Sequence, residues 1–255
     1  GKVLYAGEYI PVDTATALQE VQALTDRARA LAAENNAGEA LALYQQALQL
    51  AGGHRLEQRK AAIEESMRTL ELHRTLSAAQ QAEQGKNWVG AAESYRKALR
   101  LSGELTDRST ASDITHRLTA AVFRQELDRS KKTFDQAQWQ DTIASLERAR
   151  ELIAANPAAV SATEREEVRQ LLVNARLYRM LAAARAAYLQ RDWELAIREY
   201  QQALALLAEE TASGGESLAG SVTKVEKTLL LVRLARVQDQ VERAEGRGKS
   251  NSAVP

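Results

Sequence analysis

The chain reads as all-α: a helical-repeat array of antiparallel helices in which long and short helices alternate. Three observations predict this. Ala, Leu, Gln, Glu and Arg dominate, while Pro occurs only at positions 11, 157 and 255; such side chains lose little freedom in a helix. One block recurs four times, beginning at residues 37, 88, 139 and 193, with periods of 51, 51 and 54 residues. A fixed period of that size marks a repeat architecture. Between the blocks lie stretches of about thirty residues, such as 56–84, that hold neither Pro nor Gly, long enough for helices of ~45 Å.

Taken in order, residues 1–12 are the only strand-like segment. Val3, Leu4, Tyr5, Tyr9 and Ile10 form no helical stripe, and Pro11 closes it, which predicts an extended N-terminal arm. Asp13 or Thr14 would cap a helix over 14–34, with Leu18, Val21, Leu24, Ala28 and Leu31 on one face. Asn35 and Asn36 break it, and a second helix ends at Gly52-Gly53. A long helix over 56–86 precedes a short one over 88–102 and a polar linker over 103–112. Long 113–137 and short 139–155 follow, stopped at Asn156-Pro157. Ser161 and Glu164 form a capping box for a long helix over 162–191. Helices over 193–210 and 220–245 complete the array, which groups as 13–54, 55–112, 113–160 and 161–245. Residues 246–255 read as a disordered polar tail.

Within the recurring blocks, three positions per unit are small. They are Ala28, Ala40, Ala47; Ala79, Ala91, Ala98; Ser130, Thr142, Ala149; and Ala184, Ala196, Ala203. A bulky residue sits between the last two of each set: Tyr44, Tyr95, Leu146 and Tyr200. This pattern resembles the tetratricopeptide repeat, over about 30 residues of each unit. The resemblance implies antiparallel helix pairs in close contact at the small positions, no cofactor, and a protein–protein interaction role. Departures are clear. The family period is about 34. The usual turn glycine is replaced by Asn35, Lys86, Gln138 and Arg191, and Arg27 and Arg129 stand where the family prefers Leu.

The extra residues of each unit carry apolar stripes of their own, such as Ile63, Met67, Leu70 and Val168, Leu172, Ala175. Such a face must be buried. A third helical arm per unit, continuous with the first arm of the next, predicts a staircase of three-helix units sharing long helices. The alternative keeps ordinary stacking and lets the extra arms overhang.

Trp88, Trp139 and Trp193 begin three of the short helices; plugging the elbow between helices explains them better than a stacking ladder for bases or sugars. His54, His73 and His116 are the only histidines, and none is spaced three or four from another, so neither a metal site nor acid–base catalysis is expected. Consecutive carboxylates, as in Glu64-Glu65 and Glu166-Glu167, point ~100° apart on a helix and make no paired acid–base site. No phosphate loop or hydrolase motif occurs, and an enzyme is not expected. Lys plus Arg and Asp plus Glu are 34 each. Even around Lys131-Lys132 the acids are interleaved, so nucleic acid is not an expected partner. No apolar run approaches the ~20 residues that span a bilayer, so no membrane insertion is expected and the chain reads as soluble.

The family's first helices line a ligand-facing groove. The resemblance therefore implies a groove of Arg29, His73, Gln80, Arg124, Lys131, Phe134, Tyr178, Arg185 and Tyr188, suited to an acidic or extended peptide. The plainer reading leaves these residues exposed or covered by the extra arms. The family's carboxylate clamp of Lys and Asn is not reproduced, so binding of chaperone tails is not expected. The expected role is a non-enzymatic scaffold or adaptor, part of a larger bacterial protein. The alternative is a structural spacer or self-association module, hence a homo-oligomer. The absence of Cys and a start at Gly1 lean toward an extracytoplasmic location.

Overall fold

The computed structural model describes residues 1–5, 7–103, 108–212 and 219–251, and the side-chain surroundings of 1–4, 7–103, 109–212 and 221–243. Among these the chain is all-α apart from a terminal hairpin, as the composition predicts. β1 (Lys2–Tyr5) and β2 (Glu8–Pro11) pair antiparallel, with Val3 opposite Ile10 and Leu4 opposite Tyr9. Helices follow as α1 (Val12–Ala33), α2 (Ala37–Gly53), α3 (Glu57–Gln84), α4 (Trp88–Gly103) and α5 (Arg108–Asp135). Then come α6 (Trp139–Ala155), a 3-10 turn at Pro157–Ala159, α7 (Ala162–Leu189), α8 (Trp193–Ala212) and α9 (Ala219–Asn251). The predicted extended arm is thus a hairpin. Gly7, at φ 91°, supplies the backbone turn that folds it back. Neither Asp13 nor Thr14 caps α1. The helix starts at Val12, whose N–H donates to the Gly1 carbonyl at 3.2 Å.

The other boundaries lie close to prediction, and none of the three long helices between blocks is interrupted. α3, α5 and α7 each run 28 residues, about 42 Å. Of the expected linker over 103–112, residues 104–107 lie outside the described residues, and α5 is already helical at Arg108. The expected tail is helical as far as Asn251, and residues 252–255 lie outside the described residues.

The chain divides into two compact units, Gly1–Gln125 and Glu126–Pro255. In the first, α1, α2 and the first half of α3 enclose Val21, Ala28, Tyr44, Ala47, Ala51 and Ile63. The second half of α3 instead packs with α4 and the start of α5 around Leu72, Ala79, Tyr95, Ala98, Ile114 and Ala121. One long helix therefore closes one three-helix cluster and opens the next. In the second unit α7 behaves alike: its first half packs on α6, and its second half joins α8 and α9 around Leu177, Tyr200, Leu207, Leu229 and Val232. Each fully buried Leu or Val contributes roughly 1.5–3 kcal/mol.

The close approach of neighbouring helices rests on small side chains. All twelve small positions of the four blocks, from Ala28 to Ala203, are 0 % exposed, and so are Tyr95 and Leu146 among the bulky residues between them. Where the small residue is polar, it satisfies itself locally. The Ser130 hydroxyl donates to the Leu127 carbonyl at 2.7 Å, and the Thr142 hydroxyl to Thr133 Oγ1 at 2.9 Å. No buried side-chain N or O atom among the described residues lacks a partner. Ion pairs fix the register between helices: Lys97 with Glu71 at 2.8 Å in the first unit, Arg148 with Glu126 at 3.0 Å and Arg176 with Glu147 at 3.1 Å in the second. With at least one partner open to solvent in every pair, each contributes about 0.2–1 kcal/mol.

The elbows from long to short helix repeat one backbone motif. Asn35, Lys86, Ala137 and Arg191 have φ of 61°, 55°, 56° and 58°. At each, the residue after the left-handed one donates its N–H back over five residues: Asn36 to Leu31, Asn87 to Ala82, Gln138 to Thr133 and Asp192 to Ala187, at 2.8–2.9 Å. Its carbonyl then accepts the first bond of the short helix, from the N–H of Ala40, Ala91, Thr142 or Ala196. This is the Schellman arrangement. It corrects one expectation: the left-handed residue of the third elbow is Ala137 rather than Gln138, because every elbow places that residue two before the short helix. The α2–α3 junction at Arg55 (φ 55°) uses the same bonds. Ser161 and Glu164 do form a capping box, with Oγ of Ser161 accepting from the Glu164 N–H at 3.2 Å and the Glu164 carboxylate accepting from the Ser161 N–H at 3.0 Å.

Candidate functional site

Each tryptophan starts a short helix, half-buried, and meets the next long helix. Trp88 on α4 lies under the Arg124 guanidinium of α5, 5.3 Å from ring centroid to carbon. Trp139 on α6 stacks on Tyr178 of α7, with centroids 5.2 Å apart and 20° between planes. Phe134, at the end of α5, presents its edge to both, at 5.3 and 5.8 Å. Trp193 on α8 meets Tyr188 edge-on at 5.5 Å, and its indole N–H donates to Asp239 of α9 at 3.1 Å. These rings plug elbows. Aromatic pairs at such distances add about 0.5–1.5 kcal/mol beyond their burial.

Several of the residues expected to line a groove are therefore engaged within the fold. Arg124 covers Trp88, Phe134 and Tyr178 are brought together against Trp139, and Tyr188 rests on Trp193. Lys131 pairs with Glu167 at 2.7 Å. Gln80 and Arg185 are exposed on α3 and α7. Arg29 and His73 are the pair that the structure places at one concave site.

That site is at the α1–α2 elbow of the first unit, which has no tryptophan. Ala37 stands at the block position that Trp88, Trp139 and Trp193 occupy, and His73 stands on α3 where α5 has Arg124 and α7 has Tyr178. Between them opens a cavity of about 1120 Å³, lined by α1, the start of α2 and the middle of α3. Its floor is apolar: Tyr44, 3 % exposed, with Ala32 and the half-buried Leu70. Its rim carries Arg29, His73 and Arg74 against a single carboxylate, Glu65, with the hydroxyls of Ser66, Thr69 and Ser77 between them. Arg29 pairs with Asp26 one turn away at 3.5 Å, and both are largely exposed. The exposed Arg74 and His73 side chains hold no hydrogen bond or ion pair with a described residue. The volume is at or above the ~300–1,000 Å³ usual for ligand sites.

Arg74 and Ala37 escaped the sequence reading of this site, although one signal was present: Ala37 breaks the tryptophan series. A second missed feature lies on α9. Leu230, Leu234, Val237 and Val241 are 57, 61, 54 and 49 % exposed. Their spacing of four, three and four places them in one stripe, opposite the buried Val225, Leu229 and Val232.

Titration is perturbed at structural positions. Burial, then the 2.8 Å hydrogen bond it donates to Glu83, pushes the Tyr95 phenol up, partly offset by Arg117. Burial likewise raises Tyr200. Arg169, bonded to Glu166 and Glu210, holds the Glu166 carboxyl below its ordinary range. Among the described residues no group of three His, Cys, Asp or Glu could hold a metal. No described helix is long and apolar enough to cross a membrane. Comparison with known protein families, with curated proteins and with solved structures finds no match for this chain.

Proposed function

We propose that the chain is a non-enzymatic adaptor, built from tetratricopeptide-like repeats within a larger bacterial protein, that holds an acidic, extended peptide of a partner protein. The observation that supports this reading is the open cavity between α1, α2 and α3. An apolar floor and a rim of Arg29, His73 and Arg74 suit a chain that offers carboxylates, since charge-assisted bonds from Arg to carboxylate are the stronger ones. Resident helices on three sides make the site largely pre-formed, which lowers the ordering cost of binding.

Selection from a library of short random peptides displayed on phage tests the reading. The expected binders are rich in Asp and Glu, and the Arg29→Glu/Arg74→Glu variant loses them. Recovery of no binder, or capture that ignores the charge reversal, rejects it.

The stripe on α9 favours a second reading, self-association. Leu and Val at alternating spacings of three and four make a coiled-coil seam. An antiparallel copy would set Leu230 against Val241 and Leu234 against Val237. Sedimentation equilibrium of the full chain should then show a dimer that Leu234→Glu/Val237→Glu dissociates. A monomer at high concentration rejects this second reading.

A further inference from the structure

We infer that the cavity beside Ala37 seats one aromatic side chain, an indole above all, of the acidic peptide, so that the partner supplies the ring that the first elbow lacks. The inference rests on the peptide-binding reading above and names its anchor.

The molecule contains its own precedent. Three elbows share a three-residue turn, a short helix that begins with Trp, and a side chain of the next long helix set against the indole. Trp88 has Arg124, and Trp139 has Tyr178. The first elbow keeps the same backbone, with the same bonds from Asn36 to Leu31 and from Ala40 to Asn36. It has lost only the ring. Ala37 and His73, which would flank that ring, both line the cavity. What remains is an open hollow floored by Tyr44 and Leu70, roomy enough for a ring and its flanking residues, with His73 on its wall. Buried aromatic anchors in such hollows carry a disproportionate share of interface energy. Arg29 and Arg74 flank the hollow from α1 and α3, so carboxylates to either side of the anchor would meet a guanidinium. An aliphatic anchor would fill the floor but would leave the imidazole of His73 and the Arg74 guanidinium without a π-face to lie on.

The test uses the full chain and the acidic peptides recovered by the selection. The expected binders carry Trp, Tyr or Phe at one fixed position, and replacing that residue by Ala weakens binding by about tenfold or more, as for a buried anchor. Ala37→Trp, which supplies the ring internally, should weaken the same peptides by about tenfold or more, whereas Ala37→Ser, which leaves the hollow open, should leave them bound. Acidic binders with no aromatic preference, or with affinities that Ala37→Trp leaves unchanged, would overturn the aromatic anchor while sparing the acidic-peptide reading. Absence of any acidic binder overturns both. If Ala37→Trp fails to fold by circular dichroism, the peptide substitution decides alone: a loss smaller than about twofold on the unmodified chain overturns the anchor.

Discussion

The indole Nε1 of Trp193 donates a 3.1 Å hydrogen bond to Oδ2 of Asp239, tying the start of α8 to the middle of α9. Asp239 is 8 % exposed, and it also meets Arg243 at 2.8 Å and Arg191 at 3.6 Å. One carboxylate thus gathers an indole N–H and two guanidinium groups from three elements. Asp239→Ala should lower the unfolding free energy by about 1–3 kcal/mol, because a half-buried N–H loses its acceptor along with the two ion pairs. Asp239→Asn, which keeps an acceptor, should cost less. Urea unfolding of both variants checks the order.

The small residues at the helix contacts predict an asymmetry within a single helix. Ala184 on α7 is 0 % exposed, whereas Ala186, two residues on, faces outward. Ala184→Leu should destabilise by about 1–3 kcal/mol or more, since added methylenes must push α7 and α8 apart. Ala186→Leu should fall within about 0.5 kcal/mol of the parent. Thermal melts of the two variants suffice to compare them.

Ala137 holds φ at 56° without the freedom of a glycine. A left-handed conformation costs an L-residue roughly 1–2 kcal/mol, and its side chain is exposed, so little contact is lost on removing it. Ala137→Gly should therefore stabilise the chain, by about 1 kcal/mol, as measured by denaturant midpoint. A loss of stability would show that the elbow geometry is held from elsewhere.

Tyr95 predicts a pH dependence. Its phenol sits above the ordinary value of 10.0 because burial and the bond to Glu83 favour the neutral form. A raised folded pKa means that the unfolded chain releases this proton first. The stabilisation is therefore complete below about pH 10 and is lost as the pH rises past it. Tyr200 is raised by burial too and should act the same way. Unfolding free energies should be steady near pH 8 and fall above about pH 10, and Tyr95→Phe should remove part of that fall. At the lower pH the variant should lose about 1 kcal/mol with its hydrogen bond to Glu83.

Much of the fold was legible because its strongest constraint is steric. Where two helices touch backbone to backbone, only Ala, Ser or Thr fits, so Ala79, Ala91 and Ala98 announce the contact in the sequence itself. Ser161 and Glu164 were equally readable, since a capping box is local chemistry. The elbows were readable only to within a residue: Ala137 and Gln138 carry no glycine to mark which one turns left-handed. Whether a helical face is covered depends on neighbours remote in sequence, which is why the stripe on α9 went unnoticed and why the cluster of Phe134 and Tyr178 with Trp139 was not read. Their rings touch Trp139, a contact set by how α5, α6 and α7 lie together. Ala37 was visible as a cognate of the tryptophans, yet what its small size leaves open needed the surrounding helices to be seen.

The elbows also divide the places where this chain can grow. Each turn from long to short helix is three residues, locked by backbone bonds that a single inserted residue would break. Connections in the other direction differ in length, from residues 54–56 between α2 and α3 to residues 156–161 between α6 and α7. Grafts of a foreign loop or tag should be accepted at the longer α6–α7 junction and refused at the elbows and at the α2–α3 junction, which shares their bonds.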